Sequence, residues 1–514
     1  MGKVNIDAII PREDFEVEEN QSPGKKKETI SIEDIKSDSF FFINVRKPDF
    51  QRETNEWDED KVTQFIQSFI SGDLIPAIIL WRSSGGYLFV IDGSHRLSSL
   101  AAWVNDDYGD GDITKMFYDG LIPDEQLEIA DKTRKLIAST IGAYKDYKLA
   151  LLHPNKVKSE IVANAKNLGA LAIQLQWVEG DSRKAENSFF KINQQAAPID
   201  KTELRLLKTR RYPNSIAARA ILRSGKGHKY WSKFSVDVQT EIQDLASQIN
   251  TILFIPKLDT PIKTLDIPIG GKQYAAQTLP LILDFINISN NINLKDDIQD
   301  DELGNETIRL LKKTLKISRL VNSNHPSSLG LHPVIYFYSK DGRHKPALFY
   351  AIIKFIIELN DKNKINDFIE IREALENIIW NSDYLIQQIN RKYRSAFNSY
   401  PHVANFLLKS VKFLKLGLKE NQVIEKLIES EFDYLVVERP ELETTENKDF
   451  NKNRKSAVYI LDAVKSAPKC KICDGLVHRN SISIDHIERK EDGGLGTIDN
   501  GQLSHPYCNT GYKN

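Results

Sequence analysis

Cysteine is almost absent from this 514-residue chain. There are three, and all lie in the final tail, "CKICDGLVHRNSISIDHIERKEDGGLGTIDNGQLSHPYCNTGYKN". An odd, clustered trio argues against a disulfide framework and for metal binding in a reducing compartment. Charge of one sign is also missing, since 70 basic and 71 acidic residues leave a net charge of −1. The chain as a whole is therefore no generic polyanion binder, and any contact with nucleic acid must come from local patches. Long apolar runs are missing too. The most apolar helical stretch, "ALFYAIIKFIIEL", is too short to span a bilayer and holds Lys354. The first residues, "MGKVNIDAIIPREDFEVEEN", lack the apolar core of a signal peptide, and Ile6 breaks a myristoylation pattern. We expect a cytoplasmic protein without membrane attachment. No solenoid repeat is visible.

What is present is ordinary soluble-protein material, 41% hydrophobic and 27% charged. The length predicts roughly two to four domains. Polar, turn-rich "QSPGKKKET" makes residues 1–38 a flexible arm in this reading. A mixed front domain follows over 39–225, then a helical domain over 226–438. The charged segment 439–455 reads as a linker to a final module over 456–514. The expected class is α+β with a largely helical middle.

In the front domain, Val62, Phe65, Ile66, Phe69 and Ile70 form one apolar stripe. They predict a helix, N-capped at Asp58 and stopped at Gly72. Two β-rich runs, Ile78 to Trp81 and Tyr87 to Ile91, flank "RSSGG" as a hairpin. Asp92-Gly93-Ser94 then opens a second helix. Such a strand–glycine–helix junction exposes N–H groups to an anion, and Arg96, with Ser94 and His95, could add donors. Simple capping by Asp92 and Ser94 is the plainer alternative. Further on, "KTELRLLKTRR" and its continuation carry Arg205, Lys208, Arg210, Arg211, Arg219 and Arg223. They would either track a DNA backbone or form a solvated helical face.

The tail carries the chemistry. Cys470-x-x-Cys473 and His505-x-x-Cys508 have matched spacing and offer three thiolates and one imidazole, a closed set for structural zinc. A module this small has little core of its own, so metal would add the missing stability. Between the pairs, a β-like run enters Asp485-His486, followed by Gly493-Gly494 and Asn500, with Asn509 after the last cysteine. This tail resembles the HNH nucleases of ββα-metal fold. Their pattern runs C-x-x-C, D-H, G-G, N, then C/H-x-x-C-N. His505 stands where many members have cysteine.

The resemblance implies that Asp485 and the amide oxygen of Asn509 hold a catalytic Mg2+ or Mn2+ ion. It implies that His486 is the general base, and that Asn500 holds the His486 loop or orients its imidazole. Such chemistry suits a phosphodiester, whose own charge repels nucleophiles until a hard cation neutralises it. His478 reads as a surface residue or one that supports the ligands from behind.

The front stretches resemble the ParB/sulfiredoxin-like domain of GmrS-type proteins. That pattern runs Q-R, W, a helix, I-P-x-I-x-L, then D-G-Q-Q-R-L. Gln51, Arg52, Trp57, Ile75, Pro76, Ile78, Leu80, Asp92, Gly93, Arg96 and Leu97 fit it, with Ser94-His95 in place of the commoner Gln-Gln. "FFKINQQAAPIDKTEL" resembles a later family segment, through Phe190, Ile192, Asn193 and Glu203. The resemblance implies a nucleoside triphosphate (GTP, ATP or CTP) at Arg52, Asp92, Gly93, Ser94, His95 and Arg96, often with hydrolysis. DNA contact would fall to Arg205, Lys208, Arg210 and Arg211.

Together the two resemblances match GmrSD- and SspE-type restriction and antiphage proteins. They imply a nuclease gated by nucleotide or by a DNA feature, acting on phage or modified DNA. A homo-oligomer would ease double-strand cutting. Two other readings compete: a non-cleaving, ParB-like DNA-binding protein with a zinc-stabilised reader, and an NTPase with an assembly tail.

Overall fold

A computed structural model describes residues 3–13, 25–49, 51, 54, 56–120, 122–196, 209–273, 275, 277–293, 298–437 and 448–513, with the side chains of 193–196 left aside. Arg52, Glu203, Arg205 and Lys208 lie outside the described residues, as does the Asn193 side chain. The chain divides into two compact units. The first is residues 1–210 with 226–230, and the second is 211–225 with 231–514. The first unit thus gives way at Arg210 rather than at the expected 225. No helix among the described residues is long and apolar enough to cross a membrane.

The first unit is a six-stranded mixed sheet. In chain order its strands are β1 (Arg12–Glu13), β2 (Thr29–Ser31), β3 (Val45–Pro48), β4 (Ile78–Arg82), β5 (Leu88–Asp92) and β6 (Ala172–Val178). Their spatial order is β1-β3-β5-β4-β6-β2. The hairpin β4–β5 is antiparallel, with Leu80 opposite Val90, while β3 runs parallel to β5 and β6 parallel to β4. Helices α1 (Glu59–Ser71) and α2 (Ser94–Asn105) flank this hairpin in sequence. Asp58 caps α1 by accepting from the Lys61 N–H, and Gly72 ends it at φ 75°, a left-handed conformation that favours glycine. Val62, Ile66, Phe69 and Ile70 of α1 join Leu97, Leu100 and Trp103 of α2 in the main core. A smaller core holds Trp81, Phe89 and Ile91 against Ala185 and Phe189 of helix Ser182–Ala196.

One expectation fails here. The supposed arm is built into the fold wherever it is described. Val4, Ile6, Ile9 and Ile10 are buried, as are Ile30, Ile32 and Ile35. Strands β1 and β2 form the two edges of the sheet. The physical reason is a buried charge cluster. Asp7 accepts from Arg12 at 2.8 Å, from Lys47 at 2.5 Å and from the Thr54 N–H at 2.8 Å. Burial alone would raise the Asp7 carboxyl. Arg12 and Lys47 reverse that and hold it well below the usual carboxylate range.

The second unit is mostly helical. Helices Val236–Phe254 and Asn305–Val321 lie side by side, and Pro346–Asp361 lies along Ala396–Lys415. Helix Pro346–Asp361 carries the apolar run noted in the sequence, and Phe349, Ile352, Phe355 and Ile356 are fully buried. This explains its apolarity without a membrane. The expected linker over 439–455 falls partly on 438–447, outside the described residues. Helix Lys452–Ala463 leads into the tail, and its Ser456 hydroxyl accepts from the Ile262 N–H at 2.9 Å.

Candidate active site and metal centre

The tail folds around one hairpin, β7 (Ser483–His486) and β8 (Gly501–Ser504). They pair antiparallel, with Asp485 opposite Gln502 and His486 opposite Gly501. Residues 506–512 are helical, with π-type bonding over Cys508–Tyr512. This is the two-strand-and-helix frame expected from the motif.

The metal centre comes first because it fixes that frame. Cys470 begins a tight knuckle in which its N–H donates to Gly475 O at 2.9 Å and its sulfur accepts from Ile472 N–H at 3.4 Å. The ligand atoms of Cys470, Cys473, His505 and Cys508 all lie within 4.8 Å of one another, and all four residues are buried. Nε2 of His505 lies 3.0 Å from Leu476 O, an acceptor, so this nitrogen carries the proton. Nδ1 then faces the sulfurs, 3.4 Å from Cys473 and 3.8 Å from Cys508. Burial pushes the imidazole pKa down, keeping the neutral form that ligates a cation.

The thiols divide their charge unequally. Hydrogen bonds with Cys473 and Cys508 pull Cys470 far down. Cys473 is pushed up to about 11, first by its hydrogen bond with Cys470, and Cys508 is pushed up beyond the ordinary thiol range for the same reason. Three sulfurs this close tolerate one negative charge among themselves. A divalent cation removes that limit, so the donor set fits zinc.

Asp485 is buried, and its Oδ2 accepts from Gln502 Nε2 at 2.6 Å and Lys513 Nζ at 2.7 Å. Its other oxygen has no hydrogen bond among the described residues. His486 is partly exposed, and its imidazole likewise has no hydrogen-bond partner among them. Asn509 is anchored through its NH2 group, which donates to Ser483 Oγ at 2.8 Å and Ile484 O at 3.2 Å. Those two bonds do not use the amide oxygen, the end that could ligate a cation.

Of the two roles open to Asn500, the bonds favour holding the loop. It accepts from Glu488 N–H at 2.7 Å and donates to Glu488 O at 3.1 Å and Leu495 O at 2.8 Å. This closes the glycine loop just after His486. Gly494 is needed there because an added Cβ would sit 2.0 Å from Glu488 O.

Gln502 and Lys513 were missed in the sequence. Gln502 could have been found from cross-strand pairing with Asp485. Lys513 lies one helical turn beyond Asn509, which is a weaker signal. His478 is no surface residue. It is fully buried, with Nδ1 3.2 Å from Asn322 Oδ1.

In the first unit, Gly93 joins β5 to α2 at φ 97°, and an added Cβ would meet Arg96 and Ile78 at 3.0 and 3.1 Å. Arg96 donates to Asp92 Oδ2 at 2.6 Å and Ala77 O at 3.2 Å. His95 accepts from the Glu56 N–H at 3.3 Å and stacks on Trp57. Ser94 is buried at the helix start. These five residues therefore come together at one junction.

Of the expected DNA-contacting residues, Arg210 and Arg211 are described, each within its own unit. Arg210 lies 3.0 Å from Asp49 and 3.2 Å from Glu186, inside the first unit. Arg211 belongs to the second unit, where its carbonyl accepts from the Asp301 N–H. A guanidinium already held by two carboxylates is poorly placed to track phosphates.

Comparison with known families adds the context. Residues 31–209 match the model of the GmrSD restriction endonuclease N-terminal domain, and residues 470–514 match the HNH endonuclease model. No curated protein and no solved structure matches the chain. Together the two matches correspond to a fusion of GmrSD type, a stretch similar to the N-terminal domain of such a restriction endonuclease ahead of one similar to HNH endonucleases.

Proposed function

We propose that the chain is a metal-dependent DNA endonuclease whose HNH module nicks or cuts DNA under the control of its N-terminal domain, in modification-dependent restriction or antiphage defence. The observation that carries this reading is the β7–β8 hairpin. It sets the Asp485 carboxylate and the His486 imidazole on adjacent positions of one strand, braced by Asn500 and seated on the Cys3His cluster.

Zinc would sit at Cys470, Cys473, His505 and Cys508 and hold the frame. Asp485 and the Asn509 oxygen fit a hard divalent cation, which when bound would neutralise phosphate charge and stabilise the leaving oxyanion. His486 accepts a proton from the attacking water at its imidazole, as a general base. Asn500 keeps the following loop closed, so the imidazole is presented rather than withdrawn. Lys513 pairs with one oxygen of Asp485 and leaves the second available.

The same reading gives the junction of Asp92, Gly93, Ser94, His95 and Arg96 to a nucleoside triphosphate. Gly93 permits close backbone approach, and the twelve-residue helix α2 directs its N–H groups at the junction. Arg96, ion-paired to Asp92, would exchange that partner for phosphate.

The test is cleavage of supercoiled plasmid and of phage genomic DNA by wild type and His486→Ala. Each is assayed with Mg2+ or Mn2+, and with or without GTP, ATP or CTP. Wild-type nicking that His486→Ala loses establishes the nuclease, and a dependence on nucleotide or DNA source identifies the gate. Nicking unaffected by His486→Ala would remove the assigned base. Tight DNA binding without cleavage under every condition would favour the non-cleaving reading.

A further inference from the structure

Among the buried polar groups not yet given a task, Arg372 stands apart. It begins helix Arg372–Asn381 of the helical region, and its side chain is fully buried. Nε donates to Glu376 at 2.7 Å, Nη1 to Leu329 O at 2.6 Å and Nη2 to Gly330 O at 3.0 Å. Nη1 also lies 3.2 Å from Nδ1 of His505.

We propose that Arg372 is a positioning residue of the Cys470–Cys473–His505–Cys508 metal centre, so that the helical region and the nuclease module build one joint site. The proposal rests on the zinc reading above and extends it to a residue far from the motif.

Charge supplies the first argument. Three thiolates, a neutral imidazole and a divalent cation sum to −1, in a site whose four ligand residues are buried. A buried net charge is costly unless an opposite charge lies beside it. Arg372 provides that charge from outside the module. Glu376 takes up part of that charge through Nε, with the Tyr336 hydroxyl at 2.9 Å and the Leu476 N–H at 3.4 Å serving it as neutral donors, while Nη1 stays turned to the ligand imidazole.

Geometry supplies the second. Glu376 holds the Leu476 N–H, and the Leu476 carbonyl accepts from His505 Nε2. The Arg372–Glu376 pair thereby reaches the ligand imidazole from both sides. Nη1 carries two N–H groups: one keeps Leu329 O when a cation takes the Nδ1 lone pair, and the other gives up that nitrogen while staying beside the ligand set. The fit is close enough to exclude side chains. A Cβ on Gly475 would lie 2.3 Å from Arg372 Nε, and one on Gly330 would lie 2.4 Å from the His505 ring.

The experiment uses the full chain. Bound zinc is counted by elemental analysis, and zinc release to a chromogenic chelator is timed for wild type, Arg372→Gln, Arg372→Lys and Gly475→Ala. We expect bound zinc in wild type and release about 10- to 100-fold faster in Arg372→Gln, the range for losing a residue that orients a ligand. Arg372→Lys falls between them, because it keeps charge but not the fork. Gly475→Ala shifts the guanidinium without removing it and speeds release too, which covers the case where Arg372→Gln does not fold. In cobalt-substituted protein the thiolate-to-cobalt absorption moves to longer wavelength when the compensating charge is lost. Wild-type release rates and unchanged cobalt spectra in Arg372→Gln and Gly475→Ala would overturn the proposal, even with lowered melting temperatures. A wild-type chain that takes up no zinc would remove the metal reading, and this inference with it.

Discussion

Each unit buries an arginine against a carboxylate, and the two do so for different ends. In the first unit Asp7 sits between Arg12 and Lys47, and the cluster pins the early segment to β3 and to Thr54. All of its partners belong to the same fold. In the second unit Arg372 and Glu376 face outward from the helical region toward three sulfurs and an imidazole. The first cluster closes on itself, whereas the second is completed by something that binds. Stability should therefore rest on a fixed ion cluster in one unit, and on metal in the other.

Metal removal should separate the units most sharply. Chelation, or Cys508→Ser, should cost the tail on the order of 10 kcal/mol, as in small zinc modules. Hydrogen exchange over residues 470–513 should rise strongly, while the first unit keeps its protection. Equal loss in both units would break the comparison. Next in size is Asp7→Asn, which leaves Arg12 and Lys47 buried without their anion. It should cost about 3–5 kcal/mol, read as a lowered urea midpoint of the first unit with zinc content unchanged.

Acid should also reach the second unit first. Burial chiefly, with Arg479 adding to it against Asp266, lowers His478 to about 4 from an ordinary 6.5. The unfolded chain then binds more protons between these values. Stability is full above 6.5 and falls as pH drops toward 4. Asp7, whose pKa is depressed, keeps its contribution through this window and loses it only below the ordinary carboxylate range. Urea midpoints from pH 7 to 4 should fall for the second unit first, and His478→Asn, which keeps a donor for Asn322, should flatten that slope. The smallest effect is local to the first unit: Asp58→Ala removes the α1 cap and should cost about 1 kcal/mol in thermal unfolding.

Local signals were legible in the sequence. Asp58, the apolar stripe and Gly72 bound α1 almost as read, because capping and periodicity act over a few residues. The pairs Cys470/Cys473 and His505/Cys508 converge because ligand spacing is itself a local constraint. Contributions from afar were not legible. Ile6, Asp7 and Ile10 carry no clear period, and of the Asp7 partners Lys47 and Thr54 come tens of residues later. Strands β1 and β2 are too short to show alternation. Arg372 looks like any helix-starting arginine until the fold brings Gly475 against it. The Arg210 ion pairs were hidden for a related reason, since Asp49 and Glu186 meet it only in three dimensions.

The seat of the metal knuckle has a consequence for how the protein is made. Ser328 accepts from the Tyr507 N–H at 2.9 Å and its hydroxyl meets that of Ser481 at 2.9 Å, while Leu329 and Gly330 hold Arg372. All of these supports precede Cys470 in the chain. On the ribosome they are threaded out and can fold before the first cysteine leaves the tunnel. The β7–β8 hairpin therefore matures after these supports, onto a surface already in place.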